Sequence, residues 1–330
     1  MTLRHETTSD TARRQGRPTN WRAAATLLMP IAVLFVLVGA VAYVNSDFLS
    51  LQSLKVVVDE SSVMLVLAAG ETLVILAGGI DLSIAALASL ATVMLALSLP
   101  SIGWLAIPTV LVATSLAGAL QGFIHVRAQI PSFVVTLGGT ALWSGVALLA
   151  ANASSIPVIK GYDVVGWAFG DIAGIPSAFL VALFVAGSFG AALHWLPFGR
   201  RIYATGNAES AALMSGIQVG AVKVLAFAGS GFCSGLAGVL LVARTFNGAP
   251  TMATSLQLPT IAAVVVGGTA ITGGFGGMGR TVIGALIITV LRVGFGVMGL
   301  DPAFVPIAYG AVLVGSVALT IDRSKLSVVK

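Results

Sequence analysis

Three ionisable side chains stand inside otherwise apolar sequence: Glu71 in Ala-Ala-Gly-Glu-Thr-Leu, Asp81 in Gly-Gly-Ile-Asp-Leu-Ser, and Arg292. A charge in hydrocarbon costs a few kcal/mol and is kept for a proton relay, an ion site or a partner. Glu71 therefore has two readings: a proton site, or a carboxyl bonded within a helix bundle that holds two helices together. A Glu71–Arg292 ion pair is also conceivable. A proton- or sodium-coupled carrier normally shows several such groups, and this chain has few. His125 and His194 have no His or carboxylate partner at i, i+4, so no metal site is expected. Cys233 is the single cysteine, which rules out an intrachain disulfide and a paired thiolate site. No Ser-His-Asp constellation has a credible context.

One further motif resembles soluble-enzyme chemistry. Gly274-Phe-Gly-Gly-Met-Gly279-Arg280-Thr281 has the spacing of a phosphate-binding loop with Arg in place of Lys. That loop needs a buried strand before it and a helix after it to aim backbone N–H groups at phosphates. Its flanks here are long apolar segments, and no second nucleotide motif is present. The glycines read instead as small residues that let helices approach closely in a bilayer, as does Gly231-Phe-Cys-Ser-Gly235.

The elements that position these residues are membrane helices. Of the 330 residues, 57% are apolar and only 9% charged, and the mean hydropathy is +1.02. A soluble globular domain would be left with a greasy surface. The formal net charge is +5, but the basic residues are scattered with no stripe or aromatic platform, so no nucleic-acid partner is implied. The lipid bilayer is. Apolar segments recur at about 23–44, 62–79, 82–99, 103–124, 133–151, 176–196, 222–243, 258–271, 281–300 and 304–321. Every backbone polar group in lipid must be paired internally, and a helix does this where an open sheet cannot. The expected fold is an all-α polytopic bundle of about ten transmembrane helices, forming a single domain over 23–321 between tails at 1–22 and 322–330. The segments 62–79 and 258–271 are short and bounded by glycine, which points to broken or re-entrant helices. The first span is too long for the core of a signal peptide, and no small-residue cleavage site follows it.

Placing the N-terminus in the cytoplasm puts the five N-terminal arginines, Arg127, Arg200, Arg201, Lys223, Arg280, Arg323, Lys325 and Lys330 inside. Only Lys55, Lys160 and Arg244 fall outside, with Asp47, Asp59, Glu60, Asp163, Asp171 and Asp301. This is the positive-inside bias, and an even number of spans returns the C-terminus to the cytoplasm.

Three blocks carry a family resemblance. The first, Leu73-Val-Ile-Leu-Ala-Gly78-Gly79-Ile-Asp81-Leu-Ser83, pairs glycines that permit a sharp break with Asp81 or Ser83 as cap of the next helix. In the second, Phe198 to Ile217, Asn207 can cap a short helix with Glu209 in its first turn and Gly216 at its end. The third runs Ile261-Ala-Ala-Val-Val-Val-Gly267-Gly268-Thr269-Ala-Ile-Thr-Gly-Gly274. From about Leu65 onward the chain resembles the sugar-permease family of bacterial binding-protein-dependent ABC importers. That group contains the ribose, xylose, arabinose, galactose and galactofuranose permeases. It departs from the family at Gln257-Leu-Pro-Thr260, where an acidic "ELDA" is usual, and at Gln121-Gly122, where Asn-Gly is common.

The resemblance implies a type II-like ABC importer permease in the bacterial inner membrane with no cofactor of its own. ATP and magnesium belong to a separate ATPase subunit, so the chain is a translocation subunit and not an enzyme. It implies a second permease as partner, either an identical copy or a paralogue as Ser155-Ile156-Pro157 hints, and a periplasmic sugar-binding protein that supplies selectivity. The block at about 197–221, with Arg200, Arg201, Asn207, Glu209, Ala211, Ala212, Ser215 and Gly216, corresponds to the loop that docks on the ATPase. Gly78, Gly79, Asp81, Ser83, Gly267, Gly268 and Thr269 are the matching structural positions. Glu71, Thr72, Gln121, Thr136 and Thr140 are candidates for the translocation path, since amides and hydroxyls exchange hydrogen bonds with sugar hydroxyls without a buried charge. The alternatives are an ion-coupled secondary transporter of a small polar solute, and a membrane enzyme, which would need a polar catalytic cluster that the sequence does not show.

Overall fold

The fold is taken from a computed structural model that describes residues 20–320. Residues 1–19 and 322–330 of the expected tails lie outside the described residues, as do Arg323, Lys325 and Lys330. Residues 20–22 already belong to the first helix. Among the described residues there are twelve α-helices. They are α1 (Asn20–Val44), α2 (Leu51–Leu76), α3 (Ile84–Ile102), α4 (Ala106–Ala128), α5 (Ser132–Ala150), α6 (Ser177–Trp195), α7 (Pro197–Asn207), α8 (Glu209–Met214), α9 (Val219–Thr245), α10 (Gln257–Val266), α11 (Met278–Val297) and α12 (Phe304–Thr320). Two short antiparallel ladders tie the loops at one end. Ile156 and Pro157 (β1) face Gly248 and Asn247 (β4), and Asp171–Ile172 (β2) pairs with Ile175–Pro176 (β3).

Five stretches of helix are long and apolar enough to cross a membrane: Ile84–Ala128, which takes in α3 and α4, and Ser132–Ala150, Ser177–Trp195, Val219–Thr245 and Met278–Val297. Each of the other expected apolar segments also coincides with a helix. Leu28–Val44, Thr254–Val266 and Phe304–Ala318 are shorter apolar helices, and α2 is long but carries Lys55, Asp59, Glu60 and Glu71.

The expectation that the segment at 62–79 is a short span is corrected. α2 begins at Leu51, and its first turns carry Lys55, Asp59 and Glu60, which hid them from a reading based on apolar runs. The segment at 258–271 is short as expected. α10 has ten residues and gives way to a non-helical loop before α11.

Two helices form the centre. Every residue of α2 from Ser61 to Leu76 is buried, as is most of α9 from Ser230 to Ala243. A helix apolar all round belongs in the interior. α9 packs on α4, α2 and α3, α2 also meets α11 and α6, and α10 lies on α11 and α12. The outer helices leave Phe35, Leu116 and Phe184 exposed, which suits lipid, where no hydrophobic force drives helices together and close packing takes over. Small residues supply that packing. A Cβ on Gly118 would run into the Phe227 carbonyl, and one on Gly231 into the Thr114 carbonyl. Gly70 sits so close to Cys233 that an added Cβ would lie 2.7 Å from the Cys233 Cβ. Gly231 therefore acts as the sequence suggests.

The glycines of Gly274–Gly279 do not all follow that expectation. Gly273 and Gly274 have φ of +88° and +71° and turn the loop between α10 and α11 instead of seating helices. The helix–helix contact there belongs to Gly267, packed on the Arg280 carbonyl, and Gly284, packed on the Ala263 carbonyl.

Gly231→Leu is expected to push α9 off α4, at a cost above the ~1–3 kcal/mol of ordinary overpacking because backbone cannot yield. Size-exclusion of the detergent-solubilised protein should lose its monodisperse peak, whereas Gly187→Leu, at a position with open space around it, should keep it.

Candidate functional site

α2 and α3 are separated by a break at Ala77–Ser83 that lies inside the bundle. α2 stops in a Schellman arrangement: Gly78 adopts φ +82°, its N–H donates to the Ile75 carbonyl and the Gly79 N–H to that of Val74. The next four backbone N–H groups have left one helix without joining another, and each finds a side chain. Ile80 N–H donates to Ser132 Oγ at 3.1 Å, Asp81 N–H to Glu71 Oε1 at 3.2 Å, Leu82 N–H to Thr136 Oγ1 at 3.0 Å and Ser83 N–H to Asp81 Oδ1 at 2.9 Å. Ser83 Oγ donates to Asp81 Oδ1 at 2.6 Å and Ser230 Oγ to Asp81 Oδ2 at 2.7 Å. Asp81 is thus fully buried with three donors on its carboxyl group, so both of its oxygens are paired away from water. Its capping role is at Ser83, one residue ahead of α3, and Ser83 itself makes no side-chain cap bond.

The carbonyls of the break are met in the same way. Thr140 Oγ1 donates to the Leu82 carbonyl at 2.5 Å. Gln257, at the start of α10, donates from Nε2 to the Asp81 carbonyl at 3.3 Å and accepts the Ala85 N–H on Oε1 at 3.2 Å. Gln121 Nε2 donates to Ser83 Oγ at 2.9 Å. Its longer amide fits because Gly139 leaves room, where a Cβ would strike Gln121 Oε1. Ser132, Ser230 and Gln257 were missed from sequence. Ser132 was legible, since with Thr136 and Thr140 it forms an i, i+4, i+8 row on one face of α5.

The second break repeats the first. α10 ends with Gly268 at φ +98°, its N–H donating to the Val265 carbonyl and the Thr269 N–H to that of Val264. Arg280 Nη1 donates to the Gly268 carbonyl at 3.0 Å and its guanidinium lies 4.6 Å over the Phe275 ring. Arg280 therefore serves the helix end and not a nucleotide's phosphate. The two breaks touch, with Gly274 N–H donating to the Leu76 carbonyl at 3.1 Å.

Between them lies α7. Gly206 packs on the Leu76 carbonyl and Gly274, Asn207 Nδ2 donates to the Gly274 carbonyl at 3.1 Å, and Tyr203 Oη to that of Gly276 at 3.1 Å. Burial pushes the Tyr203 phenol above its ordinary pKa, which keeps it a donor. The expectation that Asn207 caps the following helix is corrected. It is the last residue of α7, and α8 starts after Ala208 with no side-chain cap. Gly216 does end α8, in a third Schellman arrangement at φ +79°. Glu209 pairs with Lys223 at 2.7 Å, while Arg200, Arg201, Ala211 and Ser215 are exposed and Ala212 is buried.

At the opposite end of α2 the charges gather. Lys55 pairs with Asp171 at 2.8 Å, Arg244 bridges Asp59 at 2.9 Å and Glu60, and Arg292 pairs with Glu60. The conceivable Glu71–Arg292 pair is thereby corrected. Glu60 takes Arg292, and Glu71 lies 11 residues further along α2, about three turns away.

Of the candidate path residues, Glu71, Thr72 and Thr136 are fully buried, Gln121 nearly so, and Thr140 partly. Thr72 Oγ1 meets Thr281 Oγ1 at 2.6 Å, joining α2 to α11. In this conformation Glu71, Gln121, Thr136 and Thr140 hydrogen-bond groups of the first break, whereas Thr72 ties α2 to α11. His125 Nδ1 bonds the Ile130 carbonyl at 2.6 Å and His194 lies against Trp195. Among the described residues no group of three or more His, Cys, Asp or Glu could hold a metal ion.

Residues 54–317 match the family described as "Branched-chain amino acid transport system / permease component". The chain is 34% identical over 293 residues to the ribose import permease protein of Haemophilus influenzae, covering 86% of this chain and 90% of that protein. It is 32% identical over 277 residues to the D-allose transport system permease protein of Escherichia coli, covering 82% and 84%. To the autoinducer 2 import system permease protein of the same species it is 30% identical over 284 residues, covering 80% and 77%. No solved structure matches.

Thr136→Val removes the acceptor for the buried Leu82 N–H, and Gly139→Ala drives Gln121 off Ser83. Each should cost about 1–3 kcal/mol, the penalty for an unpaired buried group. Thermal unfolding in detergent is expected to fall for both, whereas Thr136→Ser keeps the hydroxyl and should melt near wild type.

Proposed function

The chain belongs to the permease-component family of branched-chain amino acid transport systems, and on that footing we propose that it is the membrane subunit of an ATP-driven ABC importer for a small neutral sugar. The relatives named for ribose, D-allose and autoinducer 2 align along most of their length, which supports a furanose- or pyranose-like solute. In this proposal the chain is one permease domain of about ten spans, type II-like, in the inner membrane of a bacterium with both termini in the cytoplasm. It pairs with a second permease, binds an ABC ATPase that carries ATP and magnesium, and receives solute from a periplasmic binding protein.

The observation that carries the reading is the α7–α8 segment, within the block proposed as the coupling loop at about 197–221. α8 stands at the end of the bundle that holds both helix breaks, and its Met214 is 90% exposed and Leu213 55%. One flank of the segment is thus an apolar knob with nothing covering it among the described residues, and the other touches Leu76, Gly274 and Gly276 through Gly206, Asn207 and Tyr203. A push on α8 is passed to both breaks at once. Movement of those breaks would shift α2, α3, α10 and α11 together, which is how ATP-driven closure of the ATPases would reopen the path between two permeases. The positive-inside charge pattern supports a cytoplasmic position for this end.

Met214→Glu puts a charge on the knob while touching no partner inside the chain. The variant should insert and melt like wild type yet lose co-purification of a co-expressed candidate ABC ATPase. Retention of the ATPase at wild-type yield would overturn the docking role. Glu209→Lys is the weaker probe, because it also breaks the ion pair with Lys223.

A further inference from the structure

Where α6 meets α7 and the start of α11, a cavity of about 490 Å³ opens, lined by His194, Tyr203, Met278, Gly279, Arg280 and Ile283. It lies at the end of the bundle that holds the helix breaks, and Gly267 of the second stop borders it. No Asp or Glu lines it. Among the described residues Lys55, Lys223, Arg244 and Arg292 are paired with carboxylates, whereas Arg280 meets none. Its Nη1 serves the Gly268 carbonyl and its face lies over Phe275, which leaves the in-plane N–H groups of Nε and Nη2 without an acceptor among the described residues. His194 is exposed, lies edge-on to Trp195 and has no hydrogen bond among the described residues. Arg200, also exposed, stands one turn before Tyr203 on the same face of α7.

We propose that this cavity holds the headgroup of an anionic phospholipid of the cytoplasmic leaflet, with its phosphate on Arg280. The proposal goes beyond the import reading and takes from it only the cytoplasmic position of this end. Charge sets the headgroup. Guanidinium N–H groups match phosphate oxygens in pairs, and basic pockets between membrane helices on the cytoplasmic side hold such headgroups. A zwitterionic headgroup would bring an ammonium beside Arg280 with no carboxylate in the lining to receive it. The length of α6 sets the source. Leu183, Gly187, Gly190 and His194 recur at i, i+4, i+7 and i+11, which is one face of a helix. Gly190 and His194 line the cavity, Leu183 is 42% exposed, and Gly187 has open space where a side chain would stand. From His194 to Leu183 this shallow strip is about 17 Å long at 1.5 Å per residue, close to one leaflet of a bilayer core of roughly 30 Å. An acyl chain fits along it, and a free phosphate would use none of it. Trp195, 73% exposed at the mouth, stands where interfacial aromatics gather. A lipid seated here touches α6, α7 and α11 beside the second stop, so its binding stabilises their packing.

The test follows the melting of the full-length chain in a neutral detergent as dioctanoyl phosphatidylglycerol, dioctanoyl phosphatidylcholine or inorganic phosphate is added. Phosphatidylglycerol is expected to raise the melting temperature, and the other two are not. Gly279→Leu fills the cavity from a position with open space around it and changes no charge. It should melt like wild type without lipid and need about tenfold or more phosphatidylglycerol for the same rise. Arg280→Gln should lose the response to a similar extent, from a lower starting temperature because the Gly268 carbonyl loses its charged donor. No rise with phosphatidylglycerol, an equal rise with phosphatidylcholine, or an unchanged response in Gly279→Leu would overturn the site. A full rise with inorganic phosphate would make it a free-anion site and overturn the lipid. If Gly279→Leu keeps its lipid response but no longer co-purifies with a co-expressed ABC ATPase, the cavity belongs to that protein and the proposal fails. None of these outcomes depends on solute uptake, so the import reading stands or falls separately.

Discussion

Backbone N–H and C=O groups cannot be left unpaired in hydrocarbon, and the structure interrupts helices inside the bundle at two places. Each buried unpaired group costs about 1–3 kcal/mol. Four such N–H groups in a row at Ile80–Ser83 would consume a large part of the 5–15 kcal/mol that holds a typical domain together. The break survives because Ser132, Glu71, Thr136 and Asp81 accept those four donors. Burying Asp81 is tolerable for the same reason, since Ser83 and Ser230 surround its carboxylate with donors. Non-helical backbone at membrane depth is permitted where protein surrounds it, and here that protein comes from α2, α5 and α9.

The consequence is a joint whose two halves are stiff. Both helix stops have the same Schellman geometry, and they meet through the Gly274 N–H on the Leu76 carbonyl. Gly206 fits between them because no side chain would. A segment that contacts both stops can move them only together, which converts a local push into a displacement of helix pairs. The polar groups at the other end of α2 are arranged differently, as balanced ion pairs around space.

Much of this was legible before any coordinates. The apolar runs coincide with helices, the glycine pairs with helix stops, and Asp81 with the helix start. Gly216 ends its helix as its type and position suggest. What escaped depends on residues far apart in sequence. The first turns of α2 were concealed by Lys55, Asp59 and Glu60, whose charges are neutralised by Asp171, Arg244 and Arg292 from other elements. Asn207 has the composition of a cap, yet its amide is spent on Gly274, 67 residues away. Gln257 stands where the resembling family has an acid, and only the fold shows its amide serving both a donor and an acceptor across the first break.

The most direct test of the central claim is the energy source for uptake. Proteoliposomes holding the permease with its ATPase and binding protein would be loaded with ATP and given a radiolabelled neutral monosaccharide, with and without an uncoupler. The account predicts accumulation that needs hydrolysable ATP and is indifferent to the uncoupler. Accumulation that proceeds without ATP and collapses when the ion gradient is dissipated would contradict it and identify the chain as an ion-coupled carrier.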